Sequence, residues 1–334
     1  MAGFTVGNTN IFTSNTFSAT FNGLTVNNQL VFEDTGSHFQ GETSGFVSGG
    51  ATPSASTKIE SYPFSSDTNA TDVGDLSQAR GPGQEGNASA TNGYASGGYL
   101  GPGLSIVNDK FPFAISGGTA TNIGDLDVNV FETTGQSSTT DGYQSGGGIS
   151  VPVTRTDDIQ KFPFATDVGT SLVANMTTAK GGSAGGTSAT NGYVAGGISG
   201  SSADPLQSSI EKFPFASDTS TTATASLAIS RTNPAGQSST VAGYVSGGRV
   251  PPPRISAIEK YSFANDIDGT FVGDLSEDKN GLSGSSSTTD GYTNGGNNPP
   301  FVNTIERFPF SAETPITDVG NLTEAKDATS GTQV

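Results

Sequence analysis

The chain contains no cysteine and no tryptophan, and its 334 residues include one histidine, His38, and two methionines. Without cysteine there is no disulfide framework, no thiolate nucleophile and no Cys-ligated zinc or iron–sulfur centre. A single histidine rules out a multi-histidine metal cage within one chain. Positive charge is scarce: 14 Lys and Arg stand against 31 Asp and Glu, a net charge of −17. That balance disfavours nonspecific attraction to nucleic acid or to an anionic membrane. No Lys or Arg precedes Lys58, so the basic start of a secretory signal is missing. No apolar run approaches the roughly 20 residues that cross a bilayer. The expectation is a soluble product made in the cytoplasm, with no cofactor, no nucleic-acid partner and no membrane insertion. What the chain does have is glycine, 47 in all, with abundant Ser and Thr. Such a composition suggests disorder, but the aromatic residues recur at fixed intervals.

The recurrence is an internal repeat. A Gly-aromatic-x-x-Gly-Gly element begins at Gly45, Gly93, Gly142, Gly192, Gly243 and Gly291, at steps of 48, 49, 50, 51 and 48 residues. After each comes an aromatic-x-Phe element ending at Phe64, Phe113, Phe164, Phe215, Phe263 and Phe310. A large apolar residue follows, at Leu76, Leu126, Met176, Leu227, Leu275 and Leu322. Four residues later stands a basic residue, as Arg80, Lys180, Arg231, Lys279 and Lys326, with Val130 the exception. A period near 50 with short β-rich runs between Gly, Ser, Asn and Asp fits one four-stranded antiparallel propeller blade per repeat. No helical stripe competes with that reading. Small residues before each Gly-Tyr suit the innermost strand at the crowded channel. The run ending at the Leu/Met position suits the outer strand. Proline in the aromatic element belongs at a strand end, because it cannot donate a ladder bond.

These residues resemble the kelch repeat, an apolar-aromatic strand ending in Gly-Gly, then a Glu-x-aromatic strand, then Leu and a basic residue. The Glu position holds Glu60, Asp109, Gln160, Glu211, Glu259 and Glu306. The family's outer-strand Trp is missing, and Val73, Ile123, Val173, Thr224, Val272 and Val319 occupy that stretch. The fold class expected is an all-β, kelch-like propeller over residues 38–334, with six blades. The simplest ring closure has the segment after Lys326 supply the innermost strand of the first blade; a strand at 38–44 competes for that place. Residues 1–37 lack the repeat markers yet alternate apolar and polar groups, as at Phe17, Ala19, Phe21, Leu24, Val26, Leu30 and Phe32. They read either as an attachment segment or, with residues 327–334, as a seventh blade.

Length variation within the repeat is confined to one connection. Between Gly-Gly and the Ile position (Ile59, Asn108, Ile159, Ile210, Ile258, Ile305) lie 8, 9, 11, 12, 9 and 8 residues, whereas the other spacings are nearly constant. Equivalent loops of a propeller emerge on one face, which is a natural binding surface. The candidate binding residues are therefore Arg155, Asp157, Asp158, Asp204, Gln207, Arg249 and Arg254. The alternative is that loop length merely drifts on an unconstrained face. The repeated Glu and basic residues read as structural ion pairs between strands and blades. Asp67, Asp167, Asp218 and Asp266 read as turn residues bonding local backbone rather than calcium ligands, and His38 reads as an ordinary strand residue.

Enzymatic readings fit poorly. A galactose oxidase-like copper site needs two His and a Cys-crosslinked Tyr, and sialidase-type boxes need Trp. No isolated carboxylate pair for glycoside hydrolysis stands out, and no glycine-rich phosphate loop opens a helix. The near-verbatim phrases Phe-Pro-Phe-Ala-Ser/Thr-Asp, Asp-Val-Gly-Asp-Leu and Gln-Ser-Ser-Thr-Thr-Asp-Gly-Tyr look like tandem propeller repeats of marine tailed-phage proteins. That resemblance implies a non-enzymatic virion or tail-associated component, assembled in the bacterial cytoplasm. Residues 1–37 would bind other virion proteins of the capsid or tail, and the propeller would project as a decoration or host-contact module. A carbohydrate-binding adhesin using the variable loops, for a glycan or protein of the host surface, is the second reading; a degenerate enzyme is the third.

Overall fold

The computed structural model describes residues 39–334 except 53, 102 and 201–204, and four short strands within the first 36 residues. The chain divides into two compact units, Met1–Gly36 and Ser37–Val334. In the first, Thr5–Val6 pairs with Thr9–Asn10 and Thr25–Val26 pairs with Gln29–Leu30, both antiparallel. The expected strand around Phe17 to Phe21, Leu24, Phe32 and His38 lie outside the described residues.

The second unit is a six-bladed β-propeller of four-stranded antiparallel blades. Blade 2 shows the order from channel to rim: Gln84–Ala88, Asn92–Gly97, Val107–Pro112 and Thr121–Asp125. Blades 3 to 6 begin with innermost strands Thr134–Ser137, Ala184–Thr187, Ala235–Ser238 and Ser283–Ser286 and repeat the pattern. In blade 1 the innermost strand is Ser330–Gln333, paired antiparallel with Ser44–Ser48. The ring closes with six blades, so the seven-blade alternative is not formed. Nor does the 38–44 segment compete for the innermost place. Instead Gly41 lies against the blade 6 turn, its N–H donating to the Ser286 carbonyl at 2.7 Å. Blade 1 also gains a short outer addition, Gly118–Thr119 of the next blade, parallel to Gly74 and Asp75.

Each blade is covered by a neighbour on both faces, so consecutive residues of the third strand are buried, one toward each side. In blade 4, Ile210 joins Val245 and Tyr261 of blade 5, while Phe213 joins Tyr143 of blade 3. Six apolar clusters correspond to the six junctions, the sixth joining Tyr292 and Ile305 to Val47 and Tyr62 across the closure. The Gly-Tyr ring of every blade but the first stacks on the final Phe of the following blade: Tyr94 on Phe164, Tyr143 on Phe215, Tyr193 on Phe263, Tyr244 on Phe310 and Tyr292 on Phe64, with centroids 4.6–5.1 Å apart. Phe46 and Phe113 fill the remaining junction at 5.0 Å. Proline ends the third strand in five blades, at Pro63, Pro112, Pro163, Pro214 and Pro309. There its missing N–H interrupts no ladder.

Two rings of ion pairs cross the junctions. The inner ring is fully buried: Arg80 with Asp109, Lys180 with Glu211 at 3.0 Å, Arg231 with Glu259, Lys279 with Glu306 and Lys326 with Glu60. Each base lies on the approach to a new blade and each acid on that blade's third strand. The acid also takes a backbone N–H of the same connection, as Thr177 to Glu211 at 2.8 Å and Ala228 to Glu259 at 2.6 Å. Where the base is absent, at Val130, the acid is absent too. Gln160 stands there and exchanges two bonds with the Val128 backbone, at 2.8 and 2.9 Å. The outer ring joins Lys110 to Asp167 and Lys212 to Asp266, both at 2.6 Å, Arg307 to Asp67 at 3.0 Å, Lys161 to Asp218 and Lys260 to Glu313. The four turn aspartates therefore bond the cation of the preceding blade rather than only local backbone. The short turn leaves the carboxylate projecting toward the neighbouring strand.

The innermost strands converge at one glycine each: Gly86, Gly135, Gly185, Gly236, Gly284 and Gly331. A β-carbon on any of them would lie 1.9–2.4 Å from the carbonyl oxygen of the corresponding glycine in the preceding blade, right round the ring. No side chain larger than hydrogen fits, and Cα–H groups face carbonyls instead. This constriction, more than loop geometry, is why the repeat carries small residues before each Gly-Tyr.

Candidate functional site

The variable loops emerge beside the start of the innermost strands, because each innermost strand runs antiparallel to the strand that leads into Gly-Gly, with Thr134 opposite Ser145 in blade 3. They surround one mouth of the channel. Its rim is a ring of left-handed backbone at Gly83, Glu132, Gly182, Asn233, Gly281 and Ala328. Blade-to-blade bonds join four of its steps: Gly182 N–H to Glu132 carbonyl, Asn233 to Gly182 and Gly281 to Asn233, each at 2.8 Å, and Ala328 to Gly281 at 2.5 Å. The enclosed space measures about 110 Å³.

The candidate loop residues fall into two groups around this rim. In blade 3, the nearly buried Arg155 pairs with Glu132 at 2.7 Å, donates to the Gly200 carbonyl at 3.3 Å and lies over the Phe131 ring. It ties the loops of blades 3 and 4 together. Asp157 accepts the Met176 N–H through its carbonyl at 2.7 Å, and the Asp158 carboxylate accepts from the Thr156 hydroxyl at 2.5 Å. Gln207 donates to the Ser199 hydroxyl and the Pro205 carbonyl, at 3.0 and 3.1 Å. Asp204 lies outside the described residues.

The second group belongs to blades 5 and 6. Arg254 donates to Asn280 Oδ1 at 2.7 Å and Asn297 Oδ1 at 3.0 Å. Asn297 in turn faces Asp327, whose carboxyl is raised by burial against the opposing pull of Asn297 and Arg254. Arg249 is held by its backbone, which exchanges bonds with Thr232 at 2.8 and 3.1 Å. Its guanidinium is exposed and bonded to nothing among the described residues. Most of the loop charge thus preorganises the rim. Arg249 and the exposed backbone remain as donors and acceptors for a ligand.

At the other end of the channel the wall is lined by Phe39, which is 7 % exposed, and by the turn ends of the innermost strands. One feature here escaped the sequence reading. In the position before the constricting glycine the blades carry Thr134, Ala184, Ala235, Ser283 and Ser330, all small, but blade 2 carries Glu85. Glu85 lines both halves of the channel. Burial pushes its carboxyl up to about 8, against the pull of the Gly86 and Gly135 N–H groups. Aligning the innermost strands on their glycine would have exposed this lone acid.

Among the described residues no group of three or more acids and histidines is placed to hold a metal ion. No helix there is long and apolar enough to cross a membrane. No protein-family model matches the chain, and no curated protein matches it.

Proposed function

We propose that this is a non-enzymatic, kelch-like interaction module of a phage virion, a decoration or host-contact propeller on capsid or tail. Residues 1–37 bind other virion proteins, and the loops around the channel mouth form the presented face. The observation that carries the reading is the division of labour within the repeat. The recurrent Glu–base pairs and the turn acids hold neighbouring blades together, and length variation is confined to one ring of loops, the arrangement of a uniform scaffold with a diversified surface. Within the propeller unit, Phe39 lines the channel end remote from those loops. Mass spectrometry of purified particles tests the proposal. The chain is expected among the particle proteins and is expected to be lost from them when residues 1–37 are deleted and the propeller still folds. Particles lacking the full-length chain would refute it.

A carbohydrate-binding adhesin is the second reading, favoured by the unpaired guanidinium of Arg249 beside the Arg254, Asn280 and Asn297 cluster. Planar donors and amides of this kind suit sugar hydroxyls. Glycan-array binding that disappears on shortening the loops at 148–158 and 198–209 would favour it.

A further inference from the structure

The rim of the propeller departs from its own repeat in one blade. At the turn between the first two strands five blades carry threonine, Thr43, Thr91, Thr140, Thr190 and Thr289, whose carbonyls accept the N–H of the blade's final Phe at 2.8–3.0 Å. Blade 5 has Val241 there, 65 % exposed, with the same bond from Phe263 at 3.0 Å. The residue after the turn acid is Thr68, Thr219 or Thr314 in blades 1, 4 and 6, but in blade 5 it is Ile267, 54 % exposed. On the outer strand, the position held by Asp72, Asn122, Ala223 and Asp318 belongs to Phe271, 58 % exposed. Blade 3 shares two of these changes, Val168 and Leu172, but keeps Thr140. Exposed apolar side chains standing together where the repeat prescribes polar ones mark a contact surface.

The same blade lacks a bond that secures every other outer strand. In those five blades a carbonyl at the end of the outer strand accepts an N–H from the following blade: Ala120 to Asp75 at 2.7 Å, Thr170 to Asp125 at 3.0 Å, Thr221 to Asn175 at 2.9 Å, Gly269 to Ser226 at 2.8 Å and Ala70 to Asn321 at 2.9 Å. The equivalent donor for blade 5, the Ile316 N–H, makes no such bond to Asp274. Backbone separation agrees. A β-carbon on Gly74, Gly124 or Gly320 would lie 2.3–2.5 Å from the backbone of the following blade, whereas on Gly273 the nearest such atom is 3.6 Å away. Only the Thr314 and Ile316 side chains come closer, at 3.3 and 3.4 Å. Blade 1 shows what this edge can accept. There Gly118–Thr119 lies as a fifth strand parallel to Gly74 and Asp75, the equivalents of Gly273 and Asp274.

We propose that the outer edge of blade 5, Thr270–Asp274, takes up an extended segment of a partner protein by strand addition, a segment with apolar residues on one side and Lys or Arg on the other. An open sheet edge supplies main-chain bonds to such a segment, and side chains beside it supply the selectivity. Phe271 and Ile267 offer the apolar contact on the strand and on the connection before it, and the Phe263 bond sets Val241 beside that connection. Charge selects the partner. Asp266, Asp268 and Asp274 are exposed here. The two lysines of the region are each paired, Lys212 with Asp266 and Lys260 with Glu313. Among the described residues no Lys or Arg forms an ion pair with Asp268 or Asp274. A basic segment complements this edge, whereas a second copy of the chain, at −17, brings charge of the same sign. The surface lies on the rim, apart from the channel mouth, and does not rest on the function proposed for the loop face.

The chain contains no tryptophan, so a peptide of alternating Lys and Val with one central Trp reports its own binding by fluorescence. At about 0.15 M salt, where long-range attraction is screened, it is expected to bind the full chain and to protect the amides of 270–274 from hydrogen exchange. Affinity should fall at least about tenfold in the triple variant Val241→Thr, Ile267→Thr, Phe271→Asp. Each replacement is a residue that the repeat itself uses at that position, so the variant should keep the native urea midpoint. Two control peptides separate the contributions. N-methylation at alternate residues keeps the charge but blocks edge pairing, and Glu in place of Lys removes the complementary charge; neither should bind. No binding of the Lys peptide, equal binding by the triple variant or of the N-methylated form, or protection confined to the channel-mouth loops would overturn the proposal. Dimerisation of the native chain in sedimentation, lost in the triple variant, would overturn the choice of partner and assign the edge to a second copy.

Discussion

Lys180 and Glu211 show what single residues contribute. Burial alone would lower the lysine and raise the glutamate. The glutamate nonetheless lies below the ordinary carboxylate value, because Lys180, the Thr221 hydroxyl and the Thr177 N–H outweigh its burial. Removing one partner leaves an uncompensated charge in the junction. Lys180→Met is expected to cost about 3–5 kcal/mol in urea denaturation. The double change Lys180→Val with Glu211→Gln, which copies Val130 and Gln160, is expected to recover most of that loss, since the amide keeps the backbone bonds without the charge. Because the folded value of Glu211 lies below its unfolded one, its contribution is complete above about pH 4–5 and disappears as pH falls through the folded value. Stability of the double variant should fall less steeply in acid. Glu85 has the opposite sign. Its folded value is raised, so stability declines as pH climbs from the ordinary carboxylate value toward 8. Glu85→Gln is expected to raise Tm more at pH 9 than at pH 5, read by parallel thermal melts.

At the scale of elements, the innermost strands carry the tightest constraint. Gly236→Ala places a methyl 2.0 Å from the Gly185 carbonyl, where only backbone movement makes room. A loss of about 1–3 kcal/mol is expected, against little change for Gly103→Ala, whose surroundings are open. Urea midpoints compare the two. Strand order, the six-fold count and the prolines at strand ends were legible in the sequence because they are local and periodic. The partners of Lys110, Lys161, Lys212 and Arg307 were not, since each is an aspartate distant in sequence, 54–57 residues for the lysines and 240 for Arg307 across the closure, but adjacent across a junction. Reading Asp67, Asp167, Asp218 and Asp266 as locally bonded was reasonable for isolated turns; the proximity of the next blade changes their partner. Of the loop residues, the sequence marked a common face through length variation. It could not tell Arg155, engaged with Glu132 and Gly200, from Arg249, whose guanidinium stays exposed.

For the whole molecule, closure rests on Ser330–Gln333 completing blade 1, with Lys326 and Glu60 sealing the same junction. A chain ending at residue 329 is expected to lose the single cooperative transition of the intact ring and to become sensitive to limited proteolysis at moderate temperature, as the blade 1 edge at Ser44–Ser48 would lie open. Replacement of the loop at 149–154, which leaves the strands Asp141–Gly148 and Arg155–Pro163 intact, should leave that transition nearly unchanged.

The same feature orders events during synthesis. Blades 2 to 6 each draw their strands from about 50 neighbouring residues, so each can form soon after it leaves the ribosome. Blade 1 joins Ser44 to Val334, a separation of 290 positions, and must wait with an unpaired strand until residues 330–333 have been translated. The first blade begun is thus the last completed, and a prematurely released chain carries an open edge by which cellular proteases can tell it from a finished one.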